Sequence, residues 1–163
     1  MQSKDGMEHE RRFFPLLKQF PFPFNRCRRT EIFQAYLEDS EMTRIRVEKT
    51  VDGVCVYART RKAGEGISRI EEEIEIMYDE FALMLGQAAC YVSKIRYSLA
   101  YDGYEVQLNV FRGGLHGYVQ IEVEFGSHEA AVAYKPPEWF GVEVTHNSAH
   151  SNYSLAKYGA PKQ

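Results

Sequence analysis

The sequence predicts an α+β protein built on one large antiparallel sheet. Segments that alternate polar and apolar residues recur from residue 43 onward, as in "TRIRVEK", "YEVQLNVF" and "GYVQIEVEF", and this alternation is typical of half-buried strands. Asp-Gly pairs at 52–53 and 102–103 separate such segments and predict hairpin turns. Amphipathic segments at 79–92 and 127–134 predict helices that bury against the apolar face of the sheet.

Local signals predict the remaining elements. The alternation in "MEHERRFF" predicts an opening strand. The segment "TEIFQAYLED" begins with an N-cap residue, Thr30, and has near-helical apolar spacing, which predicts a short helix that runs into a strand. Ser127 is the predicted N-cap of the helix at 127–134, and Gly159 is predicted to end a last short helix in "NYSLAKYGAP".

The composition narrows the class of protein. Of the 163 residues, 44% are hydrophobic and 26% are charged, so we expect a single globular domain over residues 1–163. The net charge of −3 argues against general nucleic-acid binding. The opening "MQSKDG" lacks the apolar run of a signal peptide, and no stretch approaches the roughly 20 apolar residues of a membrane-spanning helix. We therefore expect a cytoplasmic protein with neither a nucleic acid nor a membrane as its partner.

Like charges occupy alternate positions on several predicted strands. In "EHERR", Glu8, Glu10 and Arg12 lie two residues apart. The same spacing recurs in Arg44 and Arg46, Glu71 and Glu73, Lys94 and Arg96, and Glu122 and Glu124. Alternate side chains of a strand share one face. A face turned to water is the ordinary explanation for any single strand, but the recurrence across strands favours a functional face opposite the helices.

The mixture of charges on this face indicates phosphate chemistry. Arginine and lysine match a chain of phosphates, whereas carboxylates repel phosphate unless Mg²⁺ or Mn²⁺ bridges the two groups. About eight antiparallel strands can curl into a closed barrel with these charges in its lumen, or form an open sheet with the charges on its surface. Periodicity alone does not distinguish these two forms.

The segment "EHERRF" resembles the E-x-E-x-K signature of the CYTH domains, also called triphosphate tunnel metalloenzymes. The segments that follow in family order are "QAYL", "RIR", "TRKAGEGISRIEEEIEI", "KIRY", "VQLNVF", "YVQIEVEF", "WFGVEVT" and "NYSLAKYGAP". The resemblance covers residues 8–161. It implies a closed eight-stranded antiparallel β-barrel that forms a tunnel, with helices packed on the outside. It also implies hydrolysis of a triphosphate with Mg²⁺ or Mn²⁺, with inorganic triphosphate as the first candidate and nucleoside triphosphate as the second.

The resemblance also assigns roles to individual residues. The metal-binding carboxylates it implies are Glu8, Glu10, Glu122 and Glu124. The implied phosphate-binding residues are Arg12, Arg44, Arg46, Lys62, Lys94 and Arg96. Arg12 replaces the usual lysine and presents a planar fork instead of a point donor. Glu71 and Glu73 match a further acidic pair that orients basic residues or the attacking water, so Arg12, Glu71 and Glu73 are the catalytic candidates.

Two departures from the family pattern leave alternative functions open. Gln107 and Asn109 occupy positions that are commonly acidic, and His150 stands where a tyrosine is common. Neutral amides are weaker ligands for Mg²⁺ than carboxylates, so we expect weaker metal binding or the loss of one of two metals. The alternatives to a triphosphatase are a non-catalytic polyphosphate- or nucleotide-binding module and a class IV-type adenylyl cyclase. Family members are often dimers, so the resemblance also suggests a homodimer.

Overall fold

A nine-stranded antiparallel sheet is the framework of the computed structural model. The structure describes residues 9–16, 21–39, 42–63 and 70–161, except for the side chains of residues 62, 63, 70 and 71. The strands are β1 (His9–Phe14), β2 (Arg28–Tyr36), β3 (Arg44–Thr50), β4 (Cys55–Ala63), β5 (Ile70–Glu75), β6 (Cys90–Tyr101), β7 (Tyr104–Phe111), β8 (Val119–Phe125) and β9 (Val142–Glu143). Their order across the sheet is β5-β4-β3-β2-β6-β7-β8-β1-β9. The predicted class, α+β with a large antiparallel sheet and few helices, is confirmed.

Three short α-helices accompany the sheet in the described part of the chain: α1 (Tyr78–Leu85), α2 (His128–Ala133) and α3 (Asn152–Tyr158). As predicted, Ser127 caps α2 by accepting a hydrogen bond from the backbone N–H of Ala130, at 3.2 Å. Gly159, with φ of 83°, ends α3 as predicted. Within the described residues, none of these helices has the length and apolar character needed to cross a membrane.

Two of the sequence predictions for helices are wrong. The helix predicted at 79–92 ends at Leu85 because Gly86 forms its C-cap, and Cys90 already begins β6. The segment predicted to start a helix at Thr30 is strand β2, which pairs with β3 on one side and with β6 on the other. Two ladders of hydrogen bonds outweigh the weak helical spacing of its apolar residues, since tertiary context overrides propensity.

The outer face of the sheet is apolar and is covered by helices, as the alternation predicts. Over β3 and β4, Phe81 of α1 packs into a buried cluster with Ala35, Leu37, Ile45 and Ile76. A larger cluster joins β1, β7 and β8 to α2 and the 3₁₀ helix Glu138–Phe140. Its buried members are Phe13, Val106, Leu108, Ile121, Val123, Phe125, Ala131, Tyr134, Trp139 and Phe140. The charged residues at the alternate positions therefore lie on the opposite, inner face.

The sheet curves strongly around its inner face. Arg12 on β1 and Tyr36 on β2 are four strand spacings apart, which is roughly 19 Å along a flat sheet. Burial raises the pKa of the Tyr36 phenol, and the positive charges of Arg44 and Arg12 act against this rise. Two adjacent residues of α3 also span this distance: Tyr153 packs against Tyr36 on β2, and Asn152 donates to Glu122 on β8, which is three strands away. The inner face is therefore concave.

The prediction of a closed eight-stranded barrel is wrong in strand number and in closure. The ninth strand, β9, pairs with the end of β1, with Phe13 opposite Glu143 and Phe14 opposite Val142. In the described ranges, β5 pairs only with β4, and no ladder joins β5 to β1 or β9. The physical reason is that β9 occupies the edge of β1 that barrel closure would need.

The first prediction concerns the close approach of Gly141, the residue before β9, to Phe14 at the end of β1. Gly141 has φ of 72°, and an added Cβ would overlap the carbonyl oxygen of Phe14. Gly141→Ala should therefore lower the free energy of unfolding by about 3 kcal/mol. The matched control is Gly103→Ala, which also has a positive φ, 81°, but no atom within 4 Å of the added Cβ, and it should cost about 1 kcal/mol. Urea denaturation measures both changes, and equal losses would contradict the close approach.

Candidate active site

Cross-strand pairing gathers most of the predicted site residues on the inner face, because residues directly opposite each other share a face. The relevant pairs are Glu10 with Glu124, Arg12 with Glu122, Arg96 with Asn109, Arg44 with Thr60, and Thr60 with Glu73. We call this inner face the trough. The predicted site residues whose side chains the structure describes there are Glu10, Arg12, Arg44, Arg46, Glu73, Lys94, Arg96, Glu122 and Glu124.

Glu122 is the centre of the carboxylate-rich half of the trough. Its Oε2 accepts hydrogen bonds from Arg96 Nη2 at 2.7 Å and from Asn109 Nδ2 at 2.9 Å. Lys94 Nζ lies 4.0 Å from Oε2, and Arg12 Nε lies 3.9 Å from Oε1. Burial alone would raise the pKa of Glu122, but the charges of Lys94, Arg96 and Arg12 hold it well below its usual range. The carboxylate therefore stays ionised although its side chain is only 4% exposed.

Lys94 is a buried ammonium beside this carboxylate. Its Nζ donates to Asn152 Oδ1 at 3.1 Å and lies 5.3 Å from the centroid of the Phe111 ring. Burial lowers the pKa of Lys94 to about 7, while the charge of Glu122 acts in the opposite direction. Among the described residues, Asn152 is the one hydrogen-bond acceptor of the ammonium. Because an ammonium has three N–H donors, Lys94 has capacity left for an anionic ligand.

The other half of the trough is organised by Glu73. Its Oε1 accepts from Arg46 Nη2 at 2.8 Å, and its Oε2 accepts from Arg44 Nη2 at 3.2 Å. Thr60 Oγ1 donates to the same Oε2 at 2.8 Å and accepts from Arg44 Nε at 3.2 Å. One carboxylate and one hydroxyl thus orient two guanidinium groups, so the geometry favours an orienting role for Glu73.

Two arginine donors in the trough lack a hydrogen-bond acceptor among the described residues. Arg12 Nε and Arg46 Nε are buried and form no hydrogen bond within the described part of the chain. Each lies near a carboxylate, 3.9 Å from Glu122 Oε1 and 3.4 Å from Glu48 Oε1 respectively, but without hydrogen-bond geometry. Buried polar groups in proteins are nearly always hydrogen-bonded, and an unpaired buried donor is costly. An anionic ligand with several oxygens, such as a chain of phosphates, would supply the missing acceptors.

The carboxylates on β1 and β8 have the chemistry of a site for a hard cation. Glu10, Glu122 and Glu124 lie on these two adjacent strands, and Mg²⁺ and Mn²⁺ prefer such oxygen ligands. Gln107, opposite Glu122, has a buried Oε1 that lacks a hydrogen-bond donor among the described residues. An orphaned carbonyl oxygen beside carboxylates fits a cation, so the donor chemistry agrees with the expected metal.

The same carboxylates are engaged by cationic side chains. Glu10 forms an ion pair with Arg12, and Glu122 forms one with Arg96. Within the described ranges, no three His, Cys, Asp or Glu side chains converge as metal ligands do. A cation that binds Glu10 or Glu122 would therefore compete with these guanidinium groups for the carboxylate oxygens.

Three residues predicted from the sequence fall outside the described part of the site. Glu8 is not described, and neither are the side chains of Lys62 and Glu71. The backbones of Lys62 and Glu71 lie opposite each other between β4 and β5. The roles of these three residues stay predictions.

The structure adds trough residues that the sequence analysis does not assign. Gln34 Nε2 donates to the hydroxyl of Tyr36, and both side chains are buried on β2. Their alternate positions are a strand signal, but the near-helical spacing of the neighbouring apolar residues conceals it. Thr60, completely buried on β4, lies two residues before Lys62, and the same alternation would have placed it on the inner face.

The C-terminal segment closes one end of the trough. Leu155 of α3 packs on the inner face in a buried cluster with Val92, Phe111, Leu115 and Tyr118. His150, at the position where the family commonly has tyrosine, pairs through Nδ1 with the hydroxyl of Tyr118 at 2.6 Å. Burial lowers the pKa of His150, so its neutral form is favoured in this contact.

Comparison with known proteins gives the family. No family model matches the chain. The chain is 37% identical to an inorganic triphosphatase from Nitrosomonas europaea over 140 residues, which are 83% of this chain and 89% of the relative. It is 32% identical to an inorganic triphosphatase from Acetivibrio thermocellus over 104 residues, which are 62% of this chain and 65% of the relative.

Solved structures agree with this similarity. The crystal structure of an inorganic triphosphatase matches with a TM-score of 0.63 and 33% identity, over 91% of this chain and 93% of the other. A putative adenylyl cyclase from Hippeastrum, described as having a dominant triphosphatase activity, matches with a TM-score of 0.58 over 96% of this chain and 97% of the other. At 11% identity this second match shows the fold alone.

The fold and the trough define a class of protein: an antiparallel sheet that curves around arginine, lysine and glutamate side chains. The chain belongs to the family of the inorganic triphosphatases, and its resemblance to the CYTH domains is thereby confirmed.

The second prediction tests Glu122 as the neutralising charge of the trough. Glu122→Gln should destabilise the protein by about 3 kcal/mol, because it removes the carboxylate that pairs with Arg96 and that counters the lowering of the Lys94 pKa by burial. The control is Glu80→Gln, whose carboxylate is 45% exposed and lies 3.4 Å from Arg59; such surface pairs contribute less than about 1 kcal/mol. Urea unfolding at pH 7 measures both. A Glu122→Gln variant as stable as the control would show that the cations do not depend on this carboxylate.

Proposed function

We propose that the chain is an inorganic triphosphatase that hydrolyses triphosphate in the trough with the help of Mg²⁺ or Mn²⁺. The observation that carries the proposal is the pair of buried arginine donors, Arg12 Nε and Arg46 Nε, that lack hydrogen-bond acceptors among the described residues, on a face also lined by carboxylates. The similarity to inorganic triphosphatases supports triphosphate over other polyanions.

The basic side chains would bind the phosphate oxygens. The proposed set is Arg12, Arg44, Arg46, Lys62, Lys94 and Arg96. Glu73 pairs with Arg44 and Arg46, and Glu122 pairs with Arg96. Phosphate oxygens would take over these hydrogen bonds, since guanidinium binds phosphate in the same bidentate manner as carboxylate. The site is thus preorganised for a polyanion by its own carboxylates.

The acidic side chains on β1 and β8 would hold the cation. The proposed ligands are Glu8, Glu10, Glu122 and Glu124, with Gln107 Oε1 as a neutral addition. A bound divalent cation supplies neutralisation of phosphate charge and a more acidic water nucleophile. Arg12, which pairs with Glu10, would leave that carboxylate for a phosphate oxygen.

The protein's contribution to hydrolysis is positioning and electrostatic stabilisation. Arg44 and Arg46, fixed by Glu73 and Thr60, would stabilise negative charge on the phosphoryl group as it is transferred to water. Arg12 would do the same from the opposite side of the trough. Glu71 is proposed as a further orienting acid beside Lys62, because the two residues are opposite in the β4–β5 ladder.

We also propose that residues 1–163 act as one domain, since β1 and β9, from the two ends of the chain, are neighbours in the same sheet. Homodimer formation, a cytoplasmic location and the absence of nucleic-acid or membrane partners stay predictions.

A non-catalytic polyphosphate-binding module is the second candidate, and one observation favours it. Asn109 donates a hydrogen bond to Glu122 and accepts one from Arg96, at 2.9 Å and 3.0 Å. An amide in this position links a proposed metal-binding carboxylate to a guanidinium without adding a negative charge, and it is a weaker ligand for a hard cation than a carboxylate. A site that binds phosphate but lacks a competent metal would have this form.

The third prediction is the release of phosphate from tripolyphosphate in the presence of Mg²⁺ or Mn²⁺, with no release in EDTA. Glu8→Gln, Glu122→Gln and Glu124→Gln should each lower turnover about 100-fold or more, since each removes a proposed metal ligand. Glu80→Gln, on an exposed outer helix, is the control and should leave turnover unchanged. Tight tripolyphosphate binding without phosphate release in any metal would favour the binding module. Formation of cyclic AMP from ATP would instead indicate the cyclase.

The fourth prediction concerns the two amides at commonly acidic positions. The double variant Gln107→Glu, Asn109→Asp should bind Mn²⁺ about tenfold more tightly, because carboxylates are stronger ligands for hard cations than amides. Its melting temperature without metal should fall, because the new carboxylate at position 109 would repel Glu122, and should recover on addition of Mn²⁺. Calorimetric Mn²⁺ titration and thermal melts measure the two effects. If the double variant binds Mn²⁺ with the affinity of the wild type, the cation does not contact the side chains at positions 107 and 109 of β7.

A further inference from the structure

The C-terminal helix α3 places one side chain between two residues of the trough. Asn152 accepts a hydrogen bond from Lys94 Nζ through Oδ1, at 3.1 Å, and donates one from Nδ2 to Glu122 Oε1, at 3.4 Å. The two charged groups themselves remain 4.0 Å apart, from Lys94 Nζ to Glu122 Oε2. The amide therefore meets each charge with the end of its dipole that has the opposite sign.

We propose, on the basis of the function proposed above, that Asn152 is a positioning residue that keeps Lys94 and Glu122 from closing to a direct hydrogen bond. Lys94 is 1% exposed, and opposite charges so poorly solvated attract each other strongly. A direct pair would occupy the ammonium donors that phosphate needs and the carboxylate oxygen that the cation needs. The amide holds both groups in order while leaving them available to their ligands.

The contrast with Asn109 supports this role. Asn109 also bridges a cation and Glu122, but there Arg96 Nη2 contacts Glu122 directly, at 2.7 Å. The guanidinium has five N–H donors and can bind a carboxylate and a phosphate together. The ammonium of Lys94 is a compact point charge, so a direct contact with Glu122 would commit more of its binding capacity.

The position of Asn152 is fixed by contacts of α3 outside the charged part of the trough. Leu155 is buried in the apolar cluster at the closed end, and the ring of Tyr153 packs edge-on against Tyr36, with centroids 5.4 Å apart. Lys157 forms an ion pair with Glu38 on the exposed side. Folding of the C-terminal helix onto the sheet therefore sets the distance between the proposed phosphate-binding lysine and the proposed metal-binding glutamate.

The experiment measures two binding constants that do not depend on turnover. Mn²⁺ binding to the metal-free protein is followed by electron paramagnetic resonance, and tripolyphosphate binding in EDTA by calorimetry. Asn152→Leu keeps the branched shape and the number of side-chain heavy atoms without the amide, and should weaken both constants about tenfold. Asn152→Gln, which returns an amide on a longer side chain, should recover part of each loss. If Asn152→Leu does not fold, Asn152→Ala, which removes the amide with a good helix former, takes its place.

Lys157→Ala is the matched control because it weakens the attachment of the same helix at a residue that contacts neither Lys94 nor Glu122. It should change both binding constants less than about twofold, as expected for an exposed pair. The proposal is overturned if Asn152→Leu binds both ligands as wild type does, if Asn152→Gln recovers nothing, or if Lys157→Ala causes the same losses. A wild-type chain that binds both ligands but releases no phosphate would refute the proposed hydrolysis, and the variants would still decide the role of Asn152.

Discussion

The arrangement of the trough depends on one buried carboxylate, that of Glu122. It faces Arg12 from β1, Lys94 and Arg96 from β6, and amides from β7 and α3. Without its charge, the cations would repel one another in a site of low solvent access, where such repulsion is poorly screened. The curvature of the sheet brings these side chains together, and the negative charge of Glu122 offsets the repulsion among the cations. The curvature that gathers the cations and the carboxylate that balances their charge are therefore both required for this arrangement.

Glu73 has the same function in the other half of the trough, where its carboxylate balances the charges of Arg44 and Arg46. Buried ion pairs contribute little net stability because desolvation offsets much of their attraction. Their retention on an inner face is thus better explained by binding than by folding. Phosphate can replace a carboxylate as the partner of a guanidinium, and a cation can replace a guanidinium as the partner of a carboxylate. The paired trough is therefore compatible with the proposed binding of both ligands.

Much of the site is predictable because period-two alternation determines which side chains share a face. This rule predicts a shared face for Glu10 and Arg12 and another for Glu122 and Glu124, and cross-strand pairing unites the two. Strand β2 escapes prediction because its apolar residues also fit a helix, and only its two partner strands decide between these states. The open sheet could not be predicted from the sequence, because β9, which pairs with β1, is only two residues long and shows too little alternation to be recognised. Asn152 reaches the trough from a helix, so no strand pattern could indicate it.

Two neutral amides join the cations of the trough to Glu122. Asn109 and Asn152 each offer a carbonyl oxygen to a cation and an N–H to the same carboxylate. A carboxylate at position 109 would lie against Glu122, and two such groups repel unless a proton or a metal lies between them. The amide of Asn109 avoids this repulsion, but it is a weaker ligand for a hard cation than a carboxylate. Asn109 should therefore make the order of the trough less dependent on the proposed cation than a carboxylate at the same position would.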